Sequence, residues 1–309
     1  MKEFNTRQEA KNRAEHLTPV VLREFLSKKV QGNDLKVLEP AIGSGQLLFN
    51  LFDRVKSIDG YDVSENVIKQ AKENFKDKAN LLLQDFITSK NNNQYDVAIA
   101  NYPFSLMPSQ EQKEAIAKDS FLSQFYVKQK GFINTAKADD VKGKLDYIFI
   151  LKSFNLAKEG LYLCFPGIGY RGEEEKFRKY LIDNKFIKEF GILKNSKFEN
   201  TNIDIFFLHL TKEPNEKTKA FSLDFKTNEF LEEEATFENN QFKYPIKVIE
   251  KEFFDAVELE RQSRENLINV IKKELATSRM IYDLDVDIRK GLPTIEEFKK
   301  DIIDLLNEC

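Results

Sequence analysis

Short apolar runs that alternate with helical segments constrain the fold of this chain more than any other feature of the sequence. The first four runs are Leu35–Glu39, Ser57–Tyr61, Leu81–Gln84 and Asp96–Ala100. Helical periodicity fills the intervals Gln46–Val55 and Ser64–Phe75. Strands and helices that alternate with short turns predict a parallel, doubly wound α/β sheet. Ligands bind beyond the carboxyl ends of the strands in such sheets, so the residues that follow each run are the first candidates for a site.

The rest of the sequence completes the sheet and divides the chain. Three further predicted strands are Leu161–Phe165, Phe186–Leu193 and Ile203–Leu210. We therefore expect a mostly parallel, seven-stranded sheet in a domain at 1–212, which includes N-terminal helices at 6–30. Residues 213–245 are polar and irregular, which predicts a linker or flap, and residues 246–309 predict a small helical C-terminal segment. The long polar insertion 105–142 is typical of a functional loop, with a helix predicted at Gln110–Lys118.

The composition is that of a soluble globular protein. Of 309 residues, 41% are hydrophobic and 32% are charged, and no apolar run is long enough to span a membrane. The two cysteines, Cys164 and Cys309, indicate a reducing compartment, and we expect a cytoplasmic location. Two histidines without a Cys/His cluster argue against a metal site. The net charge of −3 is unusual for a protein that binds nucleic acid unaided, because such proteins normally carry a basic surface.

A glycine-rich turn follows the first strand and reads Glu39-Pro-Ala-Ile-Gly43-Ser-Gly45. Its glycines allow the backbone to turn tightly and to approach a ligand without an intervening Cβ. A dinucleotide-binding turn is the alternative, but the third glycine of that motif is absent, because Leu48 stands in its place.

Acidic residues follow the second and third strands. Asp62 is placed to accept hydrogen bonds from ribose hydroxyls. Alternatively, or in addition, it caps the helix that begins near Ser64. The segment Gln84-Asp85-Phe86 offers an acceptor for an amino group and a ring that can pack against a base.

The fourth strand ends in Asn101-Tyr102-Pro103-Phe104, which places a rigid amide group and an aromatic ring at the carboxyl edge of the sheet. An ordinary Asn-Pro turn would explain Asn101 and Pro103. It would not explain why they follow a glycine-rich turn in this order.

These two motifs resemble the signatures of S-adenosylmethionine-dependent methyltransferases that modify an amino group, above all DNA adenine-N6 methyltransferases. The segments from Asp146 to Leu181 and from Phe198 to Leu208 resemble the modification subunits of type I restriction–modification systems. The resemblance covers about residues 14–212. It implies a Rossmann-like class I methyltransferase fold, and it departs from the family pattern at Tyr102, where proline is usual.

The resemblance also implies the roles of individual residues. The implied ligands of S-adenosylmethionine are Thr18, Glu39, Ala41, Ile42, Gly43, Gly45, Asp62, Val63, Asp85 and Phe86. Among them, Glu39 would engage the methionine end, Asp62 the ribose and Asp85 the adenine. The implied catalytic residues are Asn101, Tyr102, Pro103 and Phe104, and the implied rings at the target base are Phe104 and Phe198.

The implied chemistry needs no general base. Adenine N6 is a poor nucleophile because its lone pair is delocalised into the ring. The side-chain oxygen of Asn101 and the main-chain carbonyl of Tyr102 would accept its two hydrogens and direct the lone pair at the methyl group. Because any residue supplies a carbonyl, the sequence predicts that Tyr102→Pro is tolerated.

The implied function is methylation of adenine N6 in DNA within a restriction–modification system. Two alternatives stay open: methylation of an RNA base or a protein glutamine amide, and a catalytically degenerate subunit that binds DNA. The expected partner is DNA, with neither a membrane nor a metal. The apolar side chains of the helical pattern Val248–Leu275 would dock a separate specificity subunit, or would equally well pack on their own domain.

Overall fold

The computed structural model describes residues 18–104, 106–130, 133–197 and 204–246, together with 261–266, 269, 270 and 273. The chain divides into two compact units, residues 1–246 and residues 247–309. The described residues of the second unit are helical. Most of the predicted helix Val248–Leu275 lies outside the described residues, as does Phe198.

The seven predicted strands are all present in the first unit, together with four strands that the sequence did not predict. The strands are β1 Leu35–Glu39, β2 Val55–Asp62, β3 Ala79–Leu83, β4 Tyr95–Asn101, β5 Lys128–Lys130, β6 Ile133–Thr135, β7 Ala157–Cys164, β8 Ile187–Lys194, β9 Ile205–Thr211, β10 Lys219–Asp224 and β11 Glu229–Glu234. The α-helices are α1 Val20–Lys29, α2 Glu65–Phe75, α3 Gln110–Lys118, α4 Leu145–Asn155 and α5 Glu175–Asp183. The predicted helix after the glycine-rich turn is a 3₁₀ helix, Gln46–Arg54.

Nine strands form one mixed sheet in the order β11-β10-β8-β9-β7-β4-β1-β2-β3, and β5 pairs with β6 in a separate hairpin. Strand β1 lies between β2 and β4 and runs parallel to both. The chain adds β2 and β3 on one side of β1 and then crosses to β4 on the other side, so the strand order reverses at β1. Strand β9 runs antiparallel to β7 and β8. The predicted mostly parallel sheet is confirmed, and its seven predicted strands are contiguous.

The prediction of an irregular linker or flap at 213–245 is wrong for the strands β10 and β11. Strand β10 pairs in parallel with β8, and β11 pairs with β10. Only part of β10 is buried, and β11 is an edge strand with four glutamates whose side chains are mostly exposed. The sequence looks irregular because an edge strand that faces solvent lacks the apolar signal of a central strand.

Helices cover both faces of the sheet, as a doubly wound fold requires. One apolar core combines α1, α2 and the 3₁₀ helix with the strand side chains Val37, Val97 and Ile99. The other core combines α4 and α5 with Ala98 and Ala100 of β4. Helix α4 is buried along almost its whole length, which agrees with its apolar character on all sides.

The insertion 105–142 contains helix α3, Gln110–Lys118, which confirms the helix predicted there. Ser109 begins the helix in a capping box: its side chain accepts a hydrogen bond from Gln112 N, and the Gln112 side chain accepts one from Ser109 N. Within the described part of the chain, no helix has the length and apolar character needed to cross a bilayer.

Candidate active site

A cavity of about 290 Å³ opens at the carboxyl ends of β1, β2 and β4, close to the lower end of the ~300–1,000 Å³ range of small-molecule sites. Three strands end in polar side chains that line it: Glu39, Asp62 and Asn101. Parallel strands bring these residues together because their carboxyl ends share one edge of the sheet. The cavity lies where the strand order reverses, which is the usual position of ligands in this kind of sheet.

Most of the residues predicted for the site line this one cavity. They are Thr18, Glu39, Ala41, Ile42, Gly43, Asp62, Val63, Asp85, Phe86, Asn101, Tyr102 and Pro103. Two predicted residues, Gly45 and Phe104, are not among the lining residues, and Phe198 lies outside the described part of the chain. Their common location does not test the individual roles, which stay predictions.

Asp62 connects the glycine-rich turn to the start of α2. Its carboxylate accepts hydrogen bonds from Gly43 N at 2.9 Å and from Ser64 N at 2.8 Å. Ser64 is the residue that precedes α2, and no side chain caps the helix there, so the alternative that Asp62 caps this helix is wrong. Gly43 has a φ of +54°, and a Cβ at this position would contact no other atom within 4 Å. The turn thus presents bare backbone to the cavity.

Gly45 has a different reason to be glycine. Its φ is +82°, and a Cβ would lie 1.9 Å from the ring of Phe75. The absence of a side chain lets the start of the 3₁₀ helix pack against α2. Gly45 shapes the turn from behind the cavity.

Glu39 is a buried acid at the floor of the cavity. It is only 2% exposed. Its Oε2 atom is fully buried and has no hydrogen-bond partner among the described residues. Burial, with a further contribution from the charge of Asp62, raises the pKa of Glu39 well above its ordinary value. A buried carboxyl group without a partner is costly, and a cationic or hydrogen-bonding ligand would relieve that cost.

The loop after β3 is braced from two sides. Asp85 accepts a hydrogen bond from Ile87 N at 2.8 Å and one from Gln112 Nε2, on the insertion helix α3, at 2.7 Å. Lys152 of α4 donates to the carbonyl oxygens of Ile87 and Ser89, each at 2.7 Å. These bonds hold the Asp85 carboxylate in place at the cavity wall.

Asn101 is oriented by Thr18, the residue that precedes the first helical turn. The Asn101 amide nitrogen donates to Thr18 Oγ1 at 3.0 Å. In this arrangement the amide nitrogen faces Thr18 and the amide oxygen points elsewhere. Thr18 was predicted as a cofactor ligand; the structure also makes it a direct partner of Asn101.

Tyr102 points to the opposite face of the sheet from Asn101, because successive strand residues alternate. Its ring is 1% exposed and belongs to the core formed with α4. Burial raises the pKa of the Tyr102 phenol well above its ordinary value, with a smaller contribution from Tyr162. A role of residue 102 at the cavity would therefore fall to its backbone.

Sequence reasoning missed the lining residues that come from the insertion and from α4. These are Leu106, Gln112, Leu145 and Phe149. No short motif marks them, and their part in the site depends on how α3 and α4 pack over the strand ends. The capping box at Ser109 was a local signal for Gln112, but only as the start of a helix.

The charge of the cavity limits the ligands that it suits. Its described lining residues include the acids Glu39, Asp62 and Asp85 and no lysine, arginine or histidine. Such a wall favours a cationic ligand and disfavours the pyrophosphate of a dinucleotide. Over the described residues, no group of three or more His, Cys, Asp or Glu side chains could hold a metal ion.

Comparison with known families agrees with this geometry. The family model described as N-6 DNA Methylase matches residues 1–281. The chain belongs to the N-6 DNA methylase family. This membership, together with the sheet described above, confirms the predicted Rossmann-like class I methyltransferase fold.

Two relatives of this chain are longer proteins. The type I restriction enzyme MpnII methylase subunit of Mycoplasma pneumoniae is 26% identical over 232 residues, which cover 70% of this chain and 40% of that protein. The type II methyltransferase M.AccI of Acinetobacter calcoaceticus is 30% identical over 189 residues, 58% of this chain and 33% of that protein. The chain therefore spans well under half the length of either relative.

A solved structure shares the fold of this chain. The methyltransferase subunit of a type I restriction–modification system from Streptococcus thermophilus has a TM-score of 0.52 and 19% identity, covering 82% of this chain and 53% of that one. At this identity the likeness establishes the fold.

Proposed function

We propose that this N-6 DNA methylase binds S-adenosylmethionine in the cavity at the ends of β1, β2 and β4 and transfers its methyl group to N6 of adenine in DNA. The observation that carries the proposal is the anchored amide of Asn101 beside an acidic cavity at the reversal of the strand order. Family membership supports the reaction class.

The residues present suit this cofactor. S-adenosylmethionine carries a positive sulfonium and a positive ammonium group, which the acids Glu39, Asp62 and Asp85 favour. The buried Glu39 Oε2, which has no partner among the described residues, is suited to the ammonium end. Asp62 would hold the ribose hydroxyls, and Asp85 would accept the adenine amino group. The bare backbone at Gly43 leaves room for close approach.

The protein's part in the reaction is to position the acceptor nitrogen. When bound, S-adenosylmethionine supplies an electrophilic methyl group. Asn101 Oδ1 accepts one hydrogen of the adenine amino group, and the carbonyl of Tyr102 accepts the other. These two acceptors would thereby direct the nitrogen lone pair at the methyl group that the bound cofactor would supply. The bond from the Asn101 amide nitrogen to Thr18 leaves the amide oxygen to face the acceptor.

The alternative of a catalytically degenerate subunit that binds DNA rested on the tyrosine at position 102. The structure offers a different explanation of that residue. The Tyr102 side chain lies in the core on the α4 side, away from the Asn101 side chain. The carbonyl of residue 102 is the group that the mechanism uses, and tyrosine supplies it as well as proline does. This arrangement favours a competent enzyme.

Transfer of labelled methyl groups to DNA, RNA and protein tests the proposal. We expect label in DNA as N6-methyladenine. Asn101→Ala should abolish transfer while leaving cofactor binding nearly intact, because Asn101 acts mainly in the transition state. Asn184→Ala, a matched change at the end of α5, is the control. Label in RNA or protein alone would favour the second enzyme function, and normal transfer by Asn101→Ala would contradict the mechanism.

We further propose that a separate subunit selects the DNA sequence. The relative from Mycoplasma pneumoniae is named as a subunit. The net charge of −3 gives little general attraction for phosphates, which normally dominate affinity for DNA. The purified chain should bind DNA weakly, with strong salt dependence and without sequence preference. Methylation of one defined sequence by this chain alone at physiological salt would contradict the idea.

A further inference from the structure

The side chain of Tyr102 is held by aromatic contacts on the α4 side of the sheet. Its ring stacks on Phe149, with centroids 4.8 Å apart and an interplanar angle of 26°. It also stacks on Tyr162 of the neighbouring strand β7, at 5.8 Å and 22°. Phe149 in turn stacks on Phe86 of the loop after β3, at 6.1 Å and 13°. One aromatic stack thus joins the two sides of the cavity.

A hydrogen bond completes this anchor. The Tyr102 hydroxyl lies 2.8 Å from Ser153 Oγ on α4. The Ser153 hydroxyl donates to the carbonyl of Phe149 at 2.7 Å. Either hydroxyl of the Tyr102–Ser153 pair is able to donate to the other. Ser153 Oγ also donates toward Tyr162 Oη at 3.2 Å, so both phenols contact one buried serine hydroxyl.

The backbone of residue 102 is consequently restrained from three directions. Asn101 belongs to β4 and is paired with Leu163 of β7. Pro103 restricts the preceding residue to extended conformations. The buried ring and hydroxyl of Tyr102 fix its Cα from the other face of the sheet. No cavity-facing side chain is needed for this restraint.

We propose that Tyr102 is a positioning residue, whose hydroxyl, bonded to Ser153, fixes the main-chain carbonyl of residue 102 for hydrogen bonding to the amino group of the acceptor. This inference rests on the proposed function, and it assigns Ser153 of α4 an indirect role in the same reaction. A tyrosine at this position thereby does through side-chain packing what a proline does through its restricted φ.

Removal of single hydroxyl groups tests the proposal. Tyr102→Phe and Ser153→Ala break the bond and retain the rings, and Tyr162→Phe is the matched control, because it removes a second phenol hydroxyl from the same serine. We expect the single-turnover rate of methyl transfer to fall by about tenfold in the first two variants, less than the ~100-fold that a 1 Å displacement can cost. S-adenosylmethionine affinity should not change, and the double variant should be no slower than the slower single variant. The control should keep its rate.

A second measurement does not depend on activity. Amide hydrogen exchange at Tyr102 and Phe104 should accelerate in Tyr102→Phe and Ser153→Ala but not in Tyr162→Phe. The positioning role would be overturned if Tyr102→Phe transferred methyl groups at the wild-type rate. It would also be overturned if Tyr162→Phe lost as much of that rate as Tyr102→Phe does. Absence of methyl transfer by the wild-type protein to DNA would instead overturn the proposed function, and in that event equal exchange in Tyr102→Phe and Tyr162→Phe would overturn the positioning role.

Discussion

Replacement of Tyr102 by proline, the usual residue of the resembled family, should destabilise this protein. The sequence predicted tolerance, since only the carbonyl of residue 102 enters the proposed chemistry. The structure reverses that expectation, because the ring is 1% exposed and stacks on Phe149 and Tyr162. Loss of a buried aromatic side chain leaves a cavity and costs about 3–5 kcal/mol. Tyr102→Phe keeps the ring and should cost about 0.5–1.5 kcal/mol for the lost hydrogen bond.

Thermal unfolding measures this difference directly. For a domain of this size about 1 kcal/mol shifts Tm by roughly 2–4 °C. Tyr102→Pro should therefore lower Tm by about 6–20 °C, and Tyr102→Phe by about 1–6 °C. Tyr170→Ala is a control for loss of a tyrosine, because Tyr170 is 58% exposed and should change Tm little. If Tyr102→Pro unfolds at the wild-type temperature, the ring contributes no packing energy and the argument from burial is refuted.

Three further changes test the cavity itself. Asp62→Ala should weaken S-adenosylmethionine binding by roughly 1.5–3 kcal/mol in calorimetry; unchanged affinity would remove Asp62 from the ribose role. Burial and Asp62 raise the pKa of Glu39, so the folded state binds more protons and the free energy of unfolding should fall as pH rises from about 4.3 to the raised value. Glu39→Gln should not show this fall when the free energy of unfolding is measured in urea. If the variant and the wild type have the same pH profile, the fall does not come from Glu39. Burial lowers the pKa of Lys152 to about 8, so stability should rise between pH 8 and about 10, where the unfolded chain holds more protons. Lys152→Met should lack that rise in stability, and a rise that persists in this variant would contradict the assignment to Lys152. The variant should also bind S-adenosylmethionine more weakly, because the carbonyl oxygens of Ile87 and Ser89 lose their donor.

The sequence by itself determined the polar positions at the strand ends. Glu39, Asp62 and Asn101 each follow a short apolar run, and a parallel sheet must bring such positions to one edge. Local chemistry was sufficient there, because strand, turn and helix signals lie within a few residues of each other. The order of the motifs along the chain then predicted the family.

Tertiary structure alone decided what surrounds those positions. Strand β11 escaped prediction because it lies at the edge of the sheet and its composition is polar, and β10, next to it, is only partly buried. Gln112 and Phe149 reach the cavity through the packing of α3 and α4, which no local pattern records. The direction of the Tyr102 side chain depended on the same long-range packing. A residue that looked like a departure in a catalytic motif proved to be part of the core, because alternate residues of a strand face opposite sides of the sheet.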